Sequence, residues 1–221
     1  MYFSRIRLRN DADPKQLVGL TGYREHQALW NLFDPDPQAS RDFLFRRDET
    51  QAQPIYYLVS QRQPTDRRNL WQIETKDYYP NLRPGQTLAF SLRANPVIAR
   101  SDGKGRSQRN DLVMDIKKQT GWQKLPADER PALDGLLQQA GESWLEPRLQ
   151  KAGARLDNIR ADGYRQHRSY KRGQDKPIRY STLDLQGTLV IDDVERFEGA
   201  LFHGIGPAKA FGCGLLLVRR I

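Results

Sequence analysis

Tyr2-Phe3-Ser4-Arg5-Ile6-Arg7-Leu8-Arg9 alternates apolar and polar side chains along its whole length. A period of two is the pattern of a strand with one face in a core and one in water. Downstream, Asp13-Pro14 supplies a capping acid followed by a proline suited to a first helical position. From Gln16 to Phe33 the apolar spacing turns helical, with Gly22 as a break or kink, and Phe33-Asp34-Pro35-Asp36-Pro37 stops it. Phe43-Leu44-Phe45 and Pro54-Ile55-Tyr56-Tyr57-Leu58-Val59 read as strands. A short polar stretch expected to hold a short helix follows, then a strand around Trp71–Thr75. The order β-α-β-β-α-β is that of a ferredoxin-like or RRM-like unit.

Asn81-Leu82-Arg83-Pro84-Gly85 reads as a joint, and beyond it the same order recurs with insertions. Leu88–Arg93 alternates as a strand, and Arg93-Ala94-Asn95-Pro96 ends or bends it. Residues 101–110 (SDGKGRSQRN) are polar, basic and glycine-bearing, the composition of a mobile loop. A helix is expected from Arg130 to Ala152, with Leu133, Leu136, Leu137, Ala140, Trp144 and Leu145 at its apolar positions. Ile178–Ile191 alternates as a strand, Val194–Phe202 spells a short helix, and Phe211–Arg219 a closing strand. The expected fold class is therefore α+β, with two tandem ferredoxin-like βαββαβ domains spanning residues 1–80 and 87–221.

At 221 residues, 38% apolar and 29% charged, the chain has the composition of a soluble globular protein able to bury a real core. The N-terminus carries charges every two or three residues, without the apolar stretch of a signal peptide, and no apolar run approaches a membrane span. Cys213 is the single cysteine, so an internal disulfide and a cysteine zinc site are both excluded, and the cytoplasm is the expected compartment. Lys and Arg outnumber Asp and Glu by 36 to 27, a net charge of +9. Such a balance points to nucleic acid or an anionic membrane. No basic amphipathic helix with a broad apolar face is present to serve the membrane alternative.

Three groups of residues carry candidate chemistry. Gly204-Ile205-Gly206-Pro207-Ala208-Lys209 has the spacing GxGxxK and sits between a helix and a strand. A dinucleotide fingerprint needs GxGxxG between a strand and a helix, so that reading fails. Gly204, Gly206 and Lys209 nevertheless suit phosphate contact, although a turn needing left-handed backbone explains glycines equally well. The histidines, His26, His167 and His203, are dispersed without metal-ligand spacing, so neither a metal nor another cofactor is expected. On a helix, Tyr23 and His26 share a face that Trp30 continues, beside the core stripe of Leu29, Leu32 and Phe33. That position is held yet reachable, as a general acid or base requires; the plainer alternative is an aromatic-rich helix whose histidine only snorkels. Residues 160–179 hold seven Lys and Arg against two Asp, with Tyr164 and Tyr170 interleaved. A basic hairpin or ordered loop there suits an RNA backbone, with Arg165, Arg168, Lys171, Arg172 and Lys176 as contacts. A solvated charge run is the plainer reading.

Several segments resemble a known family: Met1-Tyr2-Phe3-Ser4; Tyr23-x-x-His26-Gln27-x-Leu29-Trp30-x-Leu32-Phe33; Arg41-Asp42-Phe43-Leu44-Phe45; Leu92-Arg93-Ala94-Asn95-Pro96; and Gly204 to Leu216. Each is short, but together, in this order and from end to end, they are similar to the CasE family of type I-E CRISPR repeat endoribonucleases. The resemblance implies two ferredoxin-like domains, and a CRISPR precursor transcript cut at the 3′ base of each repeat stem-loop. It implies His26 as the catalytic histidine with Tyr23 as its helper. It also implies retention of the repeat RNA hairpin product within the Cascade complex, alongside the other Cascade subunits. RNA carries its own nucleophile, a 2′-OH whose in-line attack gives a 2′,3′-cyclic phosphate, so no metal is needed; whether His26 is base or acid stays open. A non-catalytic RNA-hairpin-binding module, or a purely structural ribonucleoprotein subunit, remains the alternative.

Overall fold

The alternating N-terminal segment forms β1 (Tyr2–Leu8), with Ser4, Ile6 and Leu8 buried on one face. The structure, a computed structural model, describes residues 1–12, 22–34, 42–50, 53–101, 105, 107–170 and 176–221. The expected helix start at Asp13-Pro14 and the Pro35-Asp36-Pro37 stop lie outside these residues. α1 (Tyr23–Trp30) follows Gly22, then β2 (Phe43–Asp48), β3 (Ile55–Ser60) and β4 (Trp71–Asp77). They make an antiparallel sheet of order β2-β3-β1-β4. Ile6, Leu29, Leu32, Phe33, Phe43, Phe45, Tyr56, Leu58 and Trp71 form the core between this sheet and α1.

Phe43-Leu44-Phe45 of β2 and residues 55–59 of β3 read as unbroken apolar runs because both faces are covered there. Phe43 and Phe45 belong to the α1 core, while Leu44 and Val59 pack with Leu215 from the second half of the chain. Burying one such side chain is worth ~1.5–3 kcal/mol, so the contact joins the two halves.

The short helix expected between β3 and β4 is absent; residues 61–70 contain none. Asp66 captures the backbone N–H groups of Arg68 and Trp71 at 3.0 and 2.6 Å. Such local side-chain bonding favours a turn over a helix.

The second half holds β5 (Thr87–Ala94), β6 (Val97–Ser101), β7 (Ser107–Asp111), α2 (Leu112–Gln119) and α3 (Leu133–Lys151). β8 (Ala154–Ser169), β9 (Ile178–Ile191), α4 (Val194–His203) and β10 (Leu216–Arg220) complete it. Its main sheet runs β10-β5-β9-β8. This repeats the strand order of the first sheet, so the molecule is two ferredoxin-like α+β units in tandem. α3 buries Leu136, Leu137, Ala140, Trp144, Leu145 and Leu149 in the core of this sheet, and α4 adds Phe197 and Leu201. Leu133, expected among the apolar positions, stays 40% exposed at the first turn.

Two further expectations are corrected. The polar stretch 101–110 is not simply a loop, since β6 and β7 pair from Val97↔Asp111 to Ser101↔Ser107 as a separate hairpin. The closing strand starts at Leu216 instead of Phe211. Before it come a 3-10 turn (Lys209–Phe211) and Gly212 and Gly214 at φ 77° and 90°, which no extended strand accommodates.

Candidate active site and nucleic-acid interface

α1 starts where it does because of Gly22. Its φ of 57° lies in the left-handed region, and a Cβ there would sit 2.7 Å from Ser169 Oγ. Only glycine lets the helix start approach β8 so closely. Tyr23 is the first helical residue, but its side chain lies outside the described residues. His26 is half-buried, its ring stacked on Phe43 at 5.5 Å between centroids and 21° between planes. Trp30 tilts against the same imidazole at 5.7 Å. Phe43 is itself stacked on Phe33 at 5.1 Å, so the surface under the imidazole belongs to the core and is rigid.

The residue beside His26 was not foreseen. Glu25 is 5% exposed and accepts hydrogen bonds from Arg47 Nη1 and from Tyr56 Oη, the latter at 3.2 Å. Burial pushes its carboxyl above the ordinary value, against the pull of Arg47 and Tyr56. The network continues into the second sheet. Arg93 Nη1 donates to the Arg47 carbonyl at 3.4 Å, and its Nε and Nη2 donate to both carboxylate oxygens of Asp184 at 2.8 and 2.9 Å. A bidentate pair of this kind fixes orientation as well as adding energy. The helix carrying His26 is thereby tied through β2 to β5 and β9.

The glycine-rich loop lies against this helix. Lys209, in the 3-10 turn beside α1 and β2, lines a cavity of about 250 Å³ together with Phe43, Asp42, Gln61 and His203. Lys209 and the Phe43 that carries His26 thus line one cavity. Gly204 ends α4. Gly206, at φ 81°, lies so close to Trp144 that a Cβ would meet the indole at 2.6 Å. Packing alone accounts for glycine at that position.

β9 pairs with β5 only as far as Ala94↔Leu183, whereas β8 and β9 pair on to Ser169↔Ile178. The basic stretch therefore forms a two-stranded arm projecting beyond the sheet. Arg165, Arg168, Lys176 and Arg179 are exposed on it; Lys171 and Arg172 fall outside the described residues. Arg165 reaches Glu49 at 3.7 Å, a solvent-exposed pair of small energetic weight. Tyr170, near the tip, is 65% exposed. The base of the arm is braced by a stack: His167 on Tyr180 at 4.7 Å and Tyr180 on Phe211 at 4.4 Å. Burial, then the charges of Arg93 and Arg165, hold the His167 imidazole below its ordinary pKa. Arg109 and Arg179 join the basic surface without having been singled out. The signal for Arg179 was its place in the basic run, and for Arg109 its place in a stretch read as loop.

Among the described residues, no three His, Cys, Asp or Glu side chains group as a metal site, and no helix is long and apolar enough to cross a membrane. Comparison with known proteins adds the family context. A family profile described as CRISPR associated protein matches residues 1–220. The chain is 31% identical over 197 residues to the CRISPR system Cascade subunit CasE of Escherichia coli strain K12, covering 88% of this chain and 89% of that one. It is 31% identical over 153 residues to the CRISPR-associated endoribonuclease Cse3 of Thermus thermophilus, covering 65% and 60% respectively. The fold also superposes on the CRISPR endoribonuclease Cse3 bound to a 19-nucleotide RNA. The TM-score is 0.74 at 24% identity, over 99% of this chain and 100% of that one.

Proposed function

The chain belongs to the CRISPR-associated protein family, and from that premise we propose that it is a metal-independent endoribonuclease for CRISPR precursor RNA. It cuts at the 3′ base of each repeat stem-loop and stays on its product as a Cascade subunit. In this reading residues 1–80 carry the reacting histidine and residues 87–221 hold the RNA, and the protein works in the cytoplasm, where the transcript is made. The observation that carries the reading is the seating of His26. Its imidazole rests on the core-anchored Phe43 ring, which lines one cavity with Lys209, while the basic arm, at Ser169, lies against Gly22 at the start of the same helix.

The chemistry follows from what these groups supply. His26 moves a proton at the 2′-oxygen or at the leaving 5′-oxygen, with Tyr23 as its helper. Lys209 steadies the charge that builds on the phosphorane. In-line attack of the 2′-oxygen forms the new P–O bond as the P–O5′ bond breaks, leaving a 2′,3′-cyclic phosphate and a 5′-hydroxyl. Arg165, Arg168, Lys171, Arg172 and Lys176 hold the stem, with Gly204 and Gly206 shaping the loop that presents Lys209. Contacts to the stem are equal before and after cutting, so they retain product without speeding the chemical step.

The test is single-turnover cleavage of a repeat hairpin in excess EDTA. Cutting should proceed undiminished, and His26→Ala should slow it by ~10²–10⁴ while hairpin binding is kept. A 2′-deoxy nucleotide at the cut should block the reaction. A divalent-ion requirement, or full activity in His26→Ala, would overturn the assignment.

A further inference from the structure

We infer that the cavity between the two hairpins, β6–β7 and β8–β9, binds an unpaired nucleotide of the RNA, an inference that rests on the RNA-binding reading above. The cavity measures about 690 Å³ and is walled by Arg109 from β7, Arg168 and Arg179 from the arm, Ser181 and Asn95 below, and Phe211 from the glycine-rich loop. Its size falls within the ~300–1,000 Å³ of small-molecule sites.

Three observations point to an anionic ligand with a planar base. Arg109, Arg168 and Arg179 are exposed, come from different strands, and have no ion-pair partner among the described residues. The one acid on the wall, Asp111, already accepts from Met114 N at 2.9 Å and from Tyr164 Oη at 2.8 Å. Free guanidinium groups around a solvent-open cavity fit a phosphate.

The second observation is Ser181. It is 4% exposed, it lines this cavity, and its hydroxyl has no hydrogen-bond partner among the described residues. Buried hydroxyls are nearly always satisfied, so this one is available to a partner from outside the chain. The third is the aromatic side: Phe211, stacked on Tyr180, offers a rigid ring edge to a base. A stem phosphate would use the arginines and leave the hydroxyl and ring idle. A paired base keeps its hydrogen-bonding edge inside the stem. A single unstacked nucleotide uses all three, as is common where proteins read RNA outside its helices.

The test compares two labelled RNAs by fluorescence anisotropy: a blunt duplex, and the same duplex with a short single-stranded extension. The extended RNA should bind wild-type protein ~10-fold more tightly, the worth of one well-held base. Arg109→Ala and Ser181→Ala should each cut that preference to roughly threefold or less. Ser181→Ala should do so without lowering Tm, because it removes a hydroxyl that nothing in the fold satisfies. Equal wild-type affinity for both RNAs, or a preference that survives both substitutions, overturns the nucleotide pocket while leaving duplex binding in place. Binding to neither RNA would instead remove the RNA-binding reading, and the pocket with it.

Discussion

Replacing Glu25 by Ala tests whether the helix bearing His26 is held by the network that ties it to β2. Three effects set the size of the change. The Tyr56 hydroxyl, fully buried against Trp71, loses the acceptor 3.2 Å away, which costs ~1–3 kcal/mol for an orphaned buried donor. Arg47 loses Glu25 but keeps Glu49, with Nε 3.1 Å from the carboxylate, and its side chain is a quarter exposed. Its loss is therefore well below the ~3–5 kcal/mol of breaking a fully buried pair. Alanine in a helix returns roughly 0.5 kcal/mol. The net loss should be ~2–3 kcal/mol, or about 4–12 °C in Tm for a chain of this size. Urea unfolding followed by tryptophan fluorescence measures it, and Glu25→Gln, which keeps an acceptor, should lose about half as much. Single-turnover cleavage at saturating RNA should also slow in Glu25→Ala, with Kd for the hairpin unchanged. Stability within ~0.5 kcal/mol of wild type would place Glu25 with ordinary surface substitutions and refute the reasoning.

Gly22→Ala combines a left-handed φ with a Cβ pressed on Ser169 Oγ, so ~1–3 kcal/mol of stability should be lost; an unchanged Tm would show that the helix start tolerates both. Neutralising Arg165, Arg168 and Lys176 together should weaken hairpin binding and flatten log Kd against log salt by about one unit for each phosphate no longer neutralised. An unchanged slope would make the arm a solvated surface. His167 should titrate below 6.5 by NMR, since burial and two arginines disfavour its charged form. With the folded pKa below the unfolded one, the stability present above pH 6.5 declines as pH falls through the folded midpoint. A midpoint at or above 6.5 would contradict the packing around the ring.

What the sequence determined by itself was the type and buried face of the longer periodic elements. The period-two runs at Tyr2–Leu8 and Ile178–Ile191 formed strands with nearly the expected limits. The helical spacing ahead of Lys151 formed α3, and the repeated element order sufficed for two ferredoxin-like units. Two expectations failed where a local signal was outweighed: Asp66 drew backbone N–H groups into a turn where a short helix was expected, and a glycine-bearing polar stretch paired as a hairpin. The site was legible only in part. His26 and Lys209 stood out by residue type, but placing Lys209 on a cavity lined by the same Phe43 that carries His26 required the glycine-rich loop to fold back onto a helix almost two hundred positions earlier. Glu25 reads as one more helix-surface charge until Arg47 and Tyr56 arrive from two other strands. Arg109 reads as part of a loop until β7 brings it to the cavity shared with Arg179. Periodicity encodes which face of an element is buried, because side-chain direction repeats along the backbone. Which charge meets which across that face depends on the packing of elements distant in sequence, and that only the tertiary structure decides.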